Sequence, residues 1–436
     1  MTVHAYRAAL LHSLADPGEG DAEASHEYHE DGMLVVEDGH VVRAGPAAAL
    51  LPTLKGVEVT SYPDALIVPG FIDTHIPYPQ VGVIGSYGAQ LLDWLNTYTF
   101  PAEGAFHDAG HAGNTANFFL DELLRNGTTT ALVFGTVHPQ SVDAFFDAAY
   151  ARNLRMIAGK VLMDRNAPDF LTDTPESGYA DSRQLIERWH GKGRLAYAVT
   201  PRFAPTSSPE QLARAGQLFK EFPGLYMHTH LSENTQEIDW VKTLFPDQQD
   251  YLDVYDHHGL IGPRAVFAHG VHLCDRECSR LGETGSADAF CPTSNLFLGS
   301  GLFDLEAVER HGVRVGLGTD VGGGTSFSQL RTLSEAYKVM QLQGKALDPF
   351  KSFHLATLGS ARALYLDDHI GSFLPGKEAD FAVLDYKATP LLDYRLSQAR
   401  TLAERLFALI TLGDDRVIKA TYAFGKKVHD RDSAPA

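Results

Sequence analysis

The chain has 436 residues, 44% hydrophobic and 21% charged, with 40 Gly and 22 Pro, a globular composition that excludes collagen-like, low-complexity and disordered chains. Lys plus Arg number 36 against 55 Asp plus Glu, a net charge of −19, which argues against a nucleic-acid or anionic-membrane surface. No apolar run reaches the roughly 18 residues of a membrane span, the opening MTVHAYRAALLHSLADP lacks a signal-peptide pattern, and Cys274, Cys278 and Cys291 lack zinc-finger spacing, so a cytoplasmic protein is expected.

Residues 1–65 contain short alternating stretches such as GMLVVEDGHVVRAG with hairpin turn residues. From residue 66 the pattern changes to near-continuous apolar runs. These are LIVPGFIDTH (66–75), TTTALVFGT (128–136), RMIAGKVLM (155–163), RLAYAVTPRF (194–203), LYMHTHLSE (225–233), AVFAHGVH (265–272), ADAFCPTSN (287–295) and VRVGLGTD (313–320). Such runs suit parallel strands buried on both faces. The segments between them, including HAGNTANFFLDELLRNG and SPEQLARAGQLFKEFPG, have helical spacing and a Gly near the stop. Strands alternating with helices over roughly 250 residues predict an α/β fold, a (β/α)₈ TIM-like barrel. A doubly wound sheet is the alternative, but it would usually carry a Gly-rich phosphate loop after its first strand, and none is present. Residues 376–430 return to short alternating stretches (ADFAVLDY, RVIKATYAFGKKVHD). Neither end can build a core alone, so both are expected to form one small β-domain. The expected organisation is 1–65 and 376–430 in that domain, 66–375 in the barrel, and 431–436 as a loose tail.

In a barrel, reactive groups sit at the C-terminal ends of the strands. That rule gathers His75, Arg202, His230, Glu233, His269 and Asp320 at one rim. Several imidazoles with a carboxylate suit a borderline cation such as Zn²⁺ better than Mg²⁺, which prefers oxygen. There is no G-x-S-x-G elbow for a serine hydrolase, and the H-x-E…P-C-x-x-C pattern of another class of zinc deaminase is absent.

The stretches PGFIDTHIPYPQ (69–80), HTHLSEN (228–234), FAHGVHL (267–273), LGTD (317–320) and FLPGKEADFAVLD (373–385) resemble motifs of the amidohydrolase superfamily. A closer resemblance, to the guanine deaminase family, runs through residues 78–103, 200–207, 290–303, 324–344 and 411–418. It implies a zinc ion held by His75, residue 77, His230 and Asp320, and hydrolysis of guanine to xanthine and ammonia. It further implies Glu233 as the proton carrier, Asp320 orienting the attacking water, and His269 against the same oxygen. Gln80, Arg202, Phe203 and Glu233 would bind the base, and the protein would be a homodimer acting on a small molecule. Another amino-heterocycle, a pterin or an oxidised purine, fits the same machinery.

Residue 77 departs from that pattern. It is proline, which has no lone pair to give a metal. Either the site lacks one ligand, or His228 or His269 completes it. His228 shares a strand face with His230 but sits roughly 6.5–7 Å away along the strand. A weakened or silent homologue is the reading that Pro77 favours. Retention of Glu233, His269 and Asp320 favours an enzyme.

Overall fold

The computed structural model describes residues 2–18, 24–87 and 91–433. Eight strands form the barrel sheet: β1 (Phe71–Pro77), β2 (Thr128–Phe134), β3 (Arg155–Gly159), β4 (Ala196–Pro201), β5 (Tyr226–Leu231), β6 (Ala265–His269), β7 (Ala287–Phe290) and β8 (Arg314–Leu317). They lie in sequence order, β1 to β8, and the β3–β4 pair and each successive pair from β4 to β8 are parallel. Every residue of β1, β2, β6 and β7 is buried, as the apolar runs require of strands covered on both faces. The first and last strands meet where Asp320 N–H donates to His75 O at 3.0 Å. The expected (β/α)₈ barrel is therefore present and nearly closed.

The crossover helices start where the sequence supplies caps. Ser208 accepts from Gln211 N–H at the head of Pro209–Glu221, with Pro in the first turn. Asp275–Thr284 ends on Gly285 at φ 71°, the left-handed turn that glycine tolerates without a Cβ clash.

Two of the apolar runs are interrupted. The run 66–75 breaks at Gly70: residues up to Pro69 end the strand Glu58–Pro69, and β1 begins at Phe71. A Cβ at Gly70 would stand 2.2 Å from Thr129 Oγ1. The run 155–163 divides into β3 and a two-residue strand, Val161–Leu162, which pairs with β4. Gly159 makes that break, because its backbone lies so near β4 that a Cβ would fall 1.7 Å from Ala198 O.

Both chain ends contribute to one seven-stranded sheet, ordered Lys426–Asp430, Ile418–Ala423, Phe381–Asp385, Glu58–Pro69, Val3–Ser13, His26–Glu37, His40–Pro46. Only Val3–Ser13 against Glu58–Pro69 is parallel. Its core includes Tyr6, Leu34, Ile67, Phe381, Val383 and Tyr422, with the Phe381 and Tyr422 rings stacked at 4.3 Å. By density of contacts the chain forms two compact units, Met1–Asp73 with Asp121–Thr130 and Phe327–Ala436, and Thr74–Leu120 with Ala131–Ser326. Helices from Gln329 onward thus group with the seven-stranded sheet. Of the tail 431–436, residues 434–436 lie outside the described residues; Arg431 donates to Asp385 Oδ2 at 2.7 Å. Among the described residues, no helix is long and apolar enough to cross a membrane.

Gly159→Ala tests the break between β3 and Val161–Leu162. Its methyl group meets a backbone carbonyl that cannot rotate away, so the cost should be that of overpacking, about 1–3 kcal/mol. Chemical denaturation should show the loss as a lower midpoint. An unchanged midpoint would mean that the strand end yields freely.

Candidate active site

The strand ends deliver the expected residues to one rim of the barrel. His75 is in β1, His228 and His230 are in β5, and His269 closes β6. Arg202 and Phe203 directly follow β4, Glu233 comes two residues after β5, and Asp320 lies three residues past β8. The backbone is left-handed at Ser232 (φ 49°), His269 (φ 81°) and Asp320 (φ 50°). Non-glycine residues rarely adopt that region, and strain of this kind collects where side chains must be aimed at a site.

The imidazoles of His75, His230 and His269 face one point, their ligand-capable nitrogens all within 4.8 Å of one another. His230 Nδ1 is 2.6 Å from Arg202 O. A carbonyl only accepts, so Nδ1 carries the proton and Nε2 is left as a lone-pair donor. His75 Nδ1 lies 2.7 Å from His228 Nε2, and His269 Nδ1 lies 2.9 Å from Asn295 Oδ1. Asp320 spans two of the rings, with Oδ1 3.2 Å from His75 Nε2 and Oδ2 3.8 Å from His269 Nε2. Burial, then the neighbouring imidazoles, holds His75, His228 and His230 well below the usual histidine range. Neutral imidazole is the form that binds a metal. Among the described residues this is a donor set of nitrogens with an adjacent carboxylate, and it fits a borderline divalent cation.

Glu233 is buried beside this cluster. Ser300 Oγ donates to its Oε1 at 2.9 Å, and its Oε2 is 3.5 Å from His269 Nε2. Burial raises the Glu233 pKa, with the Asp320 charge adding to it against the pull of His269 and Ser300. A carboxyl raised toward neutrality can both take and return a proton. For His269 burial acts downward, but the Glu233 and Asp320 carboxylates outweigh it and its pKa is raised.

The expected base-binding residues line one pocket with members of this cluster. Gln80, Arg202, Phe203 and Glu233 all line this pocket together with His230, His269 and Asp320, and its apolar lining comes from Leu91, Trp94, Leu95 and Leu298. Arg202 is buried, with Nη1 2.9 and 2.7 Å from the two oxygens of Glu103. Gln80 Nε2 donates to Glu103 Oε1 at 3.2 Å, and the guanidinium lies over the Phe100 ring at 5.2 Å. One buried carboxylate thus holds both Arg202 and Gln80.

Sequence reasoning missed Glu103, Asn295, Ser300 and Glu237. The first three lie inside the long stretches 78–103 and 290–303, so the signal was present without a role attached. Pro77 occupies the last position of β1, buried, with φ −88°, and it presents no donor atom. His228 is fully buried with its Nε2 against His75, and it stands outside the three-imidazole cluster.

Residues 66–428 match the amidohydrolase family. The chain belongs to that family. It is 57% identical over 406 residues to a guanine deaminase of Escherichia coli, covering 92% of each chain. It is similar to the solved structure of E. coli guanine deaminase, with a TM-score of 0.96 and 54% identity over 98% of this chain and 100% of that one. It also resembles a guanine deaminase from C. acetobutylicum with guanine bound in its active site, with a TM-score of 0.89 and 29% identity over 98% of this chain and 100% of that one.

One more buried carboxyl lies behind the rim. A Cβ at Gly270 would fall 2.0 Å from Asp288 Oδ2, so only glycine fits beside the Asp288 side chain in β7. Burial pushes Asp288 up to about 8, against His269 and the Ala289 N–H. A raised folded pKa means the folded protein keeps this proton after the unfolded chain has released it. The contribution is full below about 4 and is lost as pH rises through about 8. Asp288→Asn removes the titration. Denaturation midpoints should therefore shift in favour of the variant, relative to the parent, between about pH 5 and about pH 9. A constant difference would show that Asp288 titrates as an ordinary carboxyl.

Proposed function

We propose that this chain is a zinc-dependent guanine deaminase, converting guanine and water to xanthine and ammonia. The observation that carries the reading is the single pocket in which Arg202, Phe203 and Gln80 face Glu233, His269 and Asp320. The likeness to guanine deaminases, one of them with guanine bound, supports it.

The residues that would hold Zn²⁺ lie at the imidazole cluster, His75 and His230 with Asp320 beside them. A bound Zn²⁺ supplies Lewis acidity and lowers the pKa of water to about 7. The protein does the rest. Glu233 takes a proton from the attacking water as its oxygen bonds to C2 of the base. It returns that proton to the ring nitrogen, and the remaining water proton goes to the amino group. The C2–N bond then breaks, ammonia leaves, and the oxygen stays as the new carbonyl. Asp320 accepts a hydrogen bond from the attacking water and orients it. His269 lies between Glu233 and Asp320, against the oxygen of the attacking water.

Arg202 and Gln80 offer N–H donors to the carbonyl and ring nitrogens of the base, and Phe203 packs toward its face. The apolar residues of the pocket keep bulk water away, which strengthens each of these interactions. The enzyme is further proposed to be a homodimer, on the family resemblance, and cytoplasmic, on its acidic composition and few cysteines.

Two substitutions separate the chemistry from the binding. Glu233→Gln keeps the shape and removes the proton carrier, so ammonia release should fall by about 10²–10⁴ while bound zinc is unchanged. Normal turnover in this variant would remove Glu233 from the mechanism. Glu103→Gln replaces a charge-assisted hydrogen bond to Arg202 by a neutral one, a loss of about 1.4 kcal/mol, so KM for guanine should rise about tenfold. If KM stays constant, Glu103 does not position the base-binding wall.

A further inference from the structure

The donor atoms in this chain point to a metal site different from the one its family resemblance implies. That resemblance places ligands at His75, residue 77, His230 and Asp320, and residue 77 is proline. Proline two residues beyond His75 shares its strand face, so the space where a further imidazole would project holds a saturated ring. We infer that His269 supplies the missing nitrogen, and that the zinc site consists of His75, His230 and His269 together with Asp320. The inference rests on the zinc-dependent reading above and specifies how the metal is held.

Three observations carry it. First, the three imidazoles are already gathered, with their candidate nitrogens within 4.8 Å of one another. Two nitrogens on one tetrahedral zinc stand about 3.4 Å apart, given Zn–N bonds of about 2.05 Å. The remaining closure is small enough for side-chain rotation to supply.

Second, all three rings are held from behind at Nδ1. His230 donates to Arg202 O at 2.6 Å, His269 is fixed by Asn295 Oδ1 at 2.9 Å, and His75 by His228 Nε2 at 2.7 Å. Metal-binding histidines are typically oriented in this way, with the outer nitrogen tied to an acceptor and the inner one left as a lone pair. Asn295 does for His269 what Arg202 O does for His230. The His230 and His269 rings are also nearly parallel, 15° apart with centroids at 5.4 Å.

Third, the other candidates are occupied or too far for a hydrogen bond. His228 spends its Nε2 on His75 and so acts as an outer partner. His269 Nε2 lies 3.5 and 3.8 Å from the Glu233 and Asp320 oxygens, beyond the 3.2 Å at which a proton on that nitrogen would be well used. A lone pair directed at a cation between those groups uses the same geometry better. His269 then becomes a ligand, and Glu233 is left as the one proton carrier of the rim.

The test reads zinc directly. Full-length protein, stripped of metal by a chelator, is titrated with Zn²⁺ against a competing chromophoric chelator. His269→Ala should weaken zinc binding by more than the about 10–100-fold that loss of an outer partner costs, and Asn295→Ala should fall within that range. Pro77→His combined with His269→Ala should regain most of the lost affinity. X-ray absorption of the zinc-loaded parent should count three imidazoles, a measurement that needs no variant to fold. Two imidazoles, or zinc affinity unchanged in His269→Ala, would overturn the assignment and leave zinc-dependent deamination standing. A parent that takes up no zinc would overturn both.

Discussion

The hydrogen bond from Asp320 N–H to His75 O joins the last barrel strand to the first, and the site depends on it. A parallel sheet of eight strands has its two ends far apart unless it curls shut. Closure brings residue 75 to residue 320, and Asp320 Oδ1 then lies 3.2 Å from His75 Nε2. β5 and β6 lie between the first and last strands in the sheet, and they bring His230 and His269 to the same centre. The left-handed backbone at Ser232, His269 and Asp320 turns the chain sharply where it leaves β5, β6 and β8. The local cost is met by the buried strands behind it, whose register leaves little freedom.

Charge placement around Arg202 and Gln80 obeys a different constraint. A guanidinium buried as deeply as Arg202 loses its hydration, and it is tolerable only when paired and hydrogen-bonded. Glu103 provides the pair through both oxygens, and Gln80 shares one of them. Such a pair is a weak source of net stability, because desolvation offsets most of the attraction. Its value is geometric: the planar guanidinium is held in one orientation over Phe100. A lysine in place of Arg202 could not reproduce that, since an ammonium on a flexible stem has no fixed fork of donors.

The barrel and the residues at its rim were legible in the sequence for one reason. Strands buried on both faces read as unbroken apolar runs, and the first polar residue after each run falls at the rim. His75, His230, His269 and Asp320 could be found that way. The interruptions at Gly70 and Gly159 could not, because each follows from the approach of a neighbouring strand and not from the run itself. Glu103 and Asn295 were hidden for a related reason. They sit on helices, Phe100–Gly104 and Pro292–Phe297, that follow the strand ends, and Ser300 follows the second of these; spacing along the chain says nothing of which side chain each will meet. His228 was weighed as a possible ligand from strand parity alone. Its partner is an imidazole already in the cluster, which parity cannot reveal.

Glu237 shows how ordinary helix-start chemistry can serve a site. Asn234 caps the helix Thr235–Leu244, and Glu237 closes the capping box by accepting from Asn234 N–H at 3.2 Å. The same oxygen accepts from Glu233 N–H at 3.2 Å, and Tyr251 OH donates to the other at 2.7 Å. The box therefore reaches one residue further back than the helix needs, to the backbone of Glu233. Burial, with the nearby Glu233 charge, pushes Glu237 up to about 7. Around neutrality its protonated fraction is substantial, which lessens its repulsion of Glu233. The turn that carries Glu233 is thus fastened by a group whose own ionisation yields to that of Glu233, and helix capping and the placement of Glu233 rest on the same three hydrogen bonds.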